Sequence, residues 1–206
     1  MKLYGFGQSR SFRALWALEE SGLEYEYIPV EFGSEAGPHG SRSSEYMALN
    51  TQGKVPTLID GSLILTESAA IVNHIGRRAP ESGLVPNGDL TIQAHYDQVM
   101  FFILSDLEQP LWSNGKHRFA LPEPQRIPAM LETATWEFAK AQQALHQYLD
   151  DREYVVGEHF TAVDIVLAQT INWAERFKFD VDQKFLAYRD NHYSRPAARK
   201  ALELIS

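Results

Sequence analysis

Apolar and polar positions change their period several times along this 206-residue chain, and each change marks an element. Met1-Lys2-Leu3-Tyr4-Gly5 predicts a short strand, and Phe6 to Arg10 a loop. From Ser11 to Ser21, Phe12, Leu15, Trp16 and Leu18 recur at helical spacing, with Gly22 placed as a stop. Tyr25 to Val30 predicts a second strand. Asn50 to Gly53 forms a turn that leads into an apolar strand opening on Pro56. Proline cannot donate to a sheet ladder, so it belongs at a strand start, an edge or a turn. Asp60-Gly61 is a hairpin signal, and Leu63-Ile64-Leu65 predicts the returning strand. Thr66, Glu67 and Ser68 supply polar residues at a helix start, with Ile71, Val72 and Ile75 on one face.

A Pro- and Gly-rich stretch at 79–89 lacks helical periodicity and predicts a linker between a domain at 1–78 and another at 90–206. Beyond it the chain reads as helix, over Ile92 to Leu111, Ile127 to Leu149 and Ala162 to Phe177. Leu111 to Phe119 is polar and aromatic and predicts an interhelical connection that could serve as a lid. Thr161-x-x-Asp164 starts a helix in the manner of a capping box, with Phe160 and Ile165 spaced as a hydrophobic staple, so these polar residues are assigned to structure. The order βαβ then ββα is that of a thioredoxin-like α/β domain, here followed by an all-α helical bundle. Its hairpin and following helix aim free backbone donors at the proline turn, a pocket suited to a peptide-like anion.

Composition narrows the chemistry. The chain has no Cys, so thiol–disulfide exchange by its own sulfur is excluded, and a cytoplasmic setting is expected. A net charge of -8 without a basic run argues against nucleic acid or an anionic membrane as partner. No stretch approaches the roughly 18 apolar residues of a membrane span. The seven histidines are scattered, without metal-ligand spacing, so no metal is expected. Gly5-Phe6-Gly7-Gln8-Ser9-Arg10 lies between strand and helix like a dinucleotide fingerprint, but Arg10 replaces its third glycine. The adjacent acids Glu19-Glu20 are read as a solvated face.

Together these residues resemble the cytosolic glutathione transferases, of the serine-type, bacterial-like kind. The resemblance rests on Leu3-Tyr4 ahead of helix one, Ala17 to Glu26, Gly53-Lys54-Val55-Pro56-Thr57-Leu58, Glu67-Ser68-Ala69-Ala70-Ile71, and Thr161 to Ile165. It implies an enzyme that joins the glutathione thiolate to a small, apolar electrophile. Glutathione-dependent peroxidase, dehalogenase or isomerase activity, or a non-catalytic binding protein, are the alternatives.

The resemblance also implies roles. Ser9, followed four residues on by Arg13, takes the place of the thiol-activating hydroxyl, with Ser11 as competitor; plain helix capping is the other reading of either serine. Tyr4 is expected in the core or pocket wall. Val55 would offer its N–H and C=O to the cysteinyl unit beside a cis Pro56. Glu67 and Ser68 would take the γ-glutamyl end. Lys54 suits the glycyl carboxylate or is a solvated turn lysine, and His39 and Arg42 are further basic candidates. Ser105 or Asp106 would reach the γ-glutamyl amine across a homodimer interface. Phe6, Trp112, His117 and Phe119 would line the second-substrate pocket. Dimerisation is further expected because Tyr96, Val99, Met100, Phe101, Ile103 and Leu104 carry more apolar surface than one stripe buries.

Overall fold

In the computed structural model, which describes residues 1–205, strands β1 (Lys2–Gly5), β2 (Glu26–Pro29), β3 (Thr57–Asp60) and β4 (Leu63–Thr66) form one sheet. Their order is β2-β1-β3-β4, with β1 parallel to β2 and the other pairs antiparallel. Helices α1 (Ser11–Ser21), α2 (Ser44–Leu49) and α3 (Ser68–Arg78) are interleaved with the strands. Gly22 ends α1 at φ 68°, the left-handed conformation glycine adopts without penalty.

Alternation along the strands separates two faces. The cross-strand row Leu3, Leu58 and Leu65 lies on one, and Leu3 and Leu58 are fully buried. Phe12, Leu15 and Trp16 of α1 and Ile71, Val72 and Ile75 of α3 are buried as completely, each worth about 1.5–3 kcal/mol. Gly5 shares the Leu3 face. A Cβ there would stand 2.9 Å from the Ser11 Cβ, so only glycine lets the start of α1 approach the strand this closely. On the other face Tyr4 tilts against Tyr46 of α2, ring centroids 5.9 Å apart.

Two compact units divide the chain, Met1–Val85 with residues 193–205, and Pro86–His192. The sequence expectation put 193–205 with the helical domain, yet these residues pack in the first unit. The reason is α9 (Pro196–Glu203), whose neighbour Arg195 clasps Glu20 of α1 through Nε at 2.6 Å and Nη2 at 2.9 Å, while Lys200 reaches Glu19 at 2.7 Å. The pair Glu19-Glu20 is therefore not a solvated face: their side chains are 6% and 13% exposed. Glu19 also accepts from Tyr25, whose hydroxyl is pushed above its ordinary pKa by burial and by that carboxylate.

The second unit is helical. Helix α4 (Leu90–Phe102) runs into a wide π turn at Ile103–Leu107, then α5 (Glu108–Gly115) and a second π turn at Lys116–Ala120. The expected connection at 111–119 is thus helix. The first wide turn falls just ahead of Pro110, which removes an N–H and crowds the preceding turn, so the path adjusts without breaking. Helices α6 (Ala129–Leu149), α7 (Ala162–Arg176) and α8 (Gln183–Tyr193) follow. The capping box at Thr161 and Asp164 is present. No helix among the described residues is long and apolar enough to cross a membrane.

Candidate functional site

Strand register brings three segments to one end of the sheet. Tyr4 stands opposite Thr57, and Thr57 opposite Thr66. The Phe6–Arg10 loop leaving β1, Val55-Pro56 entering β3, and Glu67-Ser68 leaving β4 consequently share that end.

In the first segment two hydroxyls are paired. Ser9 Oγ donates to Ser11 Oγ at 3.0 Å and accepts the Ser11 N–H at 3.2 Å, so its proton would have to turn from Ser11 to reach a ligand. Ser11 Oγ also accepts the Phe6 N–H at 3.2 Å. Ser11 is only 1% exposed, whereas Ser9 is half-buried and so the more accessible hydroxyl. Phe6 is exposed and stacks on Phe32, centroids 5.9 Å apart at 30°. Phe32 was not foreseen, since nothing in its Glu-Phe-Gly surroundings signals it.

The Val55-Pro56 bond is cis. Val55 is half-buried, and among the described residues its N–H and C=O have no hydrogen-bond partner. A half-buried N–H and C=O left open in this way are suited to another main chain.

Glu67 is exposed and sits at φ 67° and ψ 111°, a sparsely populated conformation for a residue with a Cβ. Its side chain makes no cap bond to α3, so the N–H groups of the first turn receive none from it. Ser68 is 5% exposed and its Oγ accepts from Arg13 Nη1 at 3.2 Å. Arg13 is fully buried, an expensive location for a cation. With its oxygen occupied by the guanidinium, the Ser68 hydroxyl proton is left to point at a further acceptor.

The basic candidates fall differently. Lys54 is exposed, its Nζ donating to Gln52 Oε1 at 2.8 Å. Arg42 is exposed beside the same turn, its Cδ 3.3 Å from where a Gly53 Cβ would stand. His39 is also exposed, its carbonyl accepting the Glu31 N–H at 2.9 Å. Two tyrosines near this end are kept protonated by burial: Tyr27, whose ring closes on Gly5, is pushed up to about 12, and Tyr46 is raised as well.

The remaining candidates lie in the second unit. Ser105 and Asp106 are exposed on the first π turn, the Ser105 hydroxyl within 2.8 Å of the Phe101 carbonyl and 2.6 Å of Asp106 Oδ2. Trp112 is half-buried. His117 Nδ1 accepts the Ile127 N–H at 3.2 Å, and exposed Phe119 packs edge-on against Phe177 at 5.9 Å.

Comparison with known proteins agrees with this architecture. A family model described as glutathione S-transferase, N-terminal domain, matches residues 1–77, and one described as glutathione S-transferase, C-terminal domain, matches residues 109–196. Glutathione S-transferase Z2 of Arabidopsis thaliana is 30% identical, over 88% of this chain and 80% of that protein. A maleylacetoacetate isomerase of Pseudomonas aeruginosa is 29% identical, over 98% of this chain and 95% of that one. A sphingomonad glutathione S-transferase solved in complex with glutathione is similar with a TM-score of 0.84 and 26% identity, covering 100% of this chain and 98% of that one. The chain belongs to the glutathione S-transferase family, a family of transferase enzymes.

Proposed function

We propose that this protein binds glutathione at the end of its sheet and conjugates the thiolate to a small, apolar electrophile. The observation that carries the reading is the unpartnered main chain of Val55, at the same sheet end as the accessible Ser9 hydroxyl and the uncapped start of α3. Val55 pairs with the cysteinyl unit, Glu67 and Ser68 hold the γ-glutamyl end, and Lys54 with Arg42 attracts the glycyl carboxylate, with His39 as a weaker basic neighbour. Ser9 is the catalytic residue. A free thiol titrates near pH 8.5, so moving it down by about two units takes about 2.7 kcal/mol of preferential anion stabilisation. One hydroxyl hydrogen bond to sulfur plus the positive end of α1 is of that order. The thiol proton leaves to solvent, the sulfur pair forms a C–S bond to the electrophilic carbon, and the leaving group departs with its bonding electrons.

In this reading residues 1–78, joined by 193–205, form the glutathione domain and residues 90–192 the helical domain. The protein works as a cytoplasmic homodimer in which Ser105 or Asp106 of one copy takes the γ-glutamyl amine in the other. Of the apolar residues first invoked for dimerisation, Tyr96, Val99, Met100 and Ile103 are buried within the chain. Support comes instead from Phe101, 66% exposed, with Leu90 and Ile92 exposed on the same helix.

A second reading is isomerisation, favoured by the nearly full-length match to a maleylacetoacetate isomerase. The two separate in one experiment: purified protein is incubated with glutathione and a panel of electrophiles, hydroperoxides and cis-enone substrates, and products are identified by mass. Conjugates with consumption of glutathione support the proposal. Product formation with glutathione unchanged supports the isomerase, and no glutathione-dependent product contradicts both.

A further inference from the structure

One carbonyl in the proline turn is held by two buried side chains at once. Lys54 O accepts from the Tyr46 hydroxyl at 2.6 Å and from the Asn50 amide at 2.9 Å. Tyr46 is fully buried and Asn50 is 6% exposed. The Asn50 amide cannot be turned round, because its Oδ1 accepts the Gln52 N–H at 3.1 Å. Thr57 closes the network, its Oγ1 lying 3.0 Å from the Tyr46 oxygen and 3.3 Å from Asn50 Nδ2. One proton arrangement satisfies every distance. Asn50 gives one amide hydrogen to Lys54 O and the other to Thr57 Oγ1, Thr57 donates to Tyr46, and Tyr46 donates to Lys54 O.

Both lone pairs of that carbonyl are thereby used. The Lys54–Val55 peptide is trans, so its C=O and the Val55 N–H lie in one plane and point in opposite directions. Fixing the carbonyl from the protein side fixes the aim of the N–H away from it. We propose that Tyr46 and Asn50 are positioning residues for glutathione: by clamping Lys54 O they lock the Lys54–Val55 peptide plane and present the Val55 N–H to the cysteinyl carbonyl. The inference rests on the reading of Val55 as a peptide-binding residue, and it assigns work to two side chains that touch no substrate.

The test compares Tyr46→Phe with Thr57→Val by calorimetric titration with S-methylglutathione, an unreactive probe, alongside steady-state kinetics and urea unfolding. Both substitutions remove a hydroxyl from the same buried network and keep the side chain's shape, but only Tyr46→Phe strips a donor from Lys54 O. Tyr46→Phe is expected to raise Kd and the glutathione KM by about 3–10-fold, with kcat at saturating glutathione and the midpoint of its pH profile unchanged. Thr57→Val is expected to lose comparable stability and to bind within twofold of the parent. Asn50→Ala carries the same expectation as Tyr46→Phe should that variant not fold. Parental affinity in Tyr46→Phe, or an equal loss in Thr57→Val, overturns the clamp while leaving the glutathione reading intact; a parent that does not bind the probe overturns both.

Discussion

Helices α3 and α7 both begin on polar side chains and use them in opposite ways. Each has a first turn of N–H groups without intrahelical partners. At α7 the carboxylate of Asp164 accepts the Thr161 N–H at 2.7 Å, the Thr161 hydroxyl at 3.0 Å, the Val155 N–H at 2.9 Å and the Tyr188 hydroxyl at 2.6 Å. It is fully buried, and burial pushes its pKa up despite those four donors. Those four bonds commit the Asp164 carboxylate to structure. At α3, exposed Glu67 sits at φ 67° without capping its helix, and Ser68 Oγ accepts from Arg13, which leaves its hydroxyl able to donate to a further acceptor. A cluster of polar residues at a helix start is therefore structural or functional according to whether its hydrogen bonds are already spent, not according to its polarity.

The comparison breaks most easily at Asp164. Asp164→Ala leaves two backbone N–H groups and the Tyr188 hydroxyl buried without their acceptor, a loss of about 3 kcal/mol or more in urea unfolding. Turnover of the protein that remains folded at low temperature should stay within a few fold; a stable but inactive variant would erase the distinction between the two helices. Next comes Ser9→Ala, expected to cut turnover by roughly 10–10³ in steady-state kinetics while glutathione affinity stays within a few fold. Ser68→Ala inverts that pattern, weakening glutathione binding about tenfold by calorimetry and leaving kcat nearly unchanged.

Smaller effects sharpen the contrast. Ser11→Ala removes the acceptor of the Phe6 N–H and should cost about 1 kcal/mol of stability with little change in turnover. Asp60, on β3, is held below its ordinary pKa by the His74 hydrogen bond, with Arg78 adding to it. Because the folded value lies below the unfolded one, the contribution is present above about pH 3.9 and is lost as pH falls through the folded value. Asp60→Asn should remove that acid-side loss, at most about 1 kcal/mol, from urea midpoints measured between neutral pH and pH 3.

Much of the fold was legible because local signals agreed with it. Gly22 after an apolar helical period, Pro56 before a strand and Asp60-Gly61 between strands each have a backbone reason to sit where they do. Thr161-x-x-Asp164 was readable for the same reason. Long-range partners were not. Glu19-Glu20 look like a solvated pair until α9 folds back onto them, and no pattern near residue 20 announces Arg195. The run from Leu111 to Phe119 was read as connection because its polar residues and the preceding proline hide a helix that widens by two π turns. Tyr46 and Asn50 carry no motif either; their shared hold on the Lys54 carbonyl appears only once α2, six residues long and ending on the C-cap Asn50, is formed. The candidate site was legible as a set of segments through family resemblance, whereas the division between spent and available hydrogen bonds needed coordinates.

The central claim is that the Ser9 hydroxyl stabilises the glutathione thiolate. Its most direct measurement is the ultraviolet thiolate absorbance of protein-bound glutathione titrated against pH, in the parent and in Ser9→Ala. The account predicts a parental midpoint well below the free-thiol value of about 8.5, moving back toward it in Ser9→Ala. Identical midpoints in the two proteins, at equal glutathione occupancy, would contradict it.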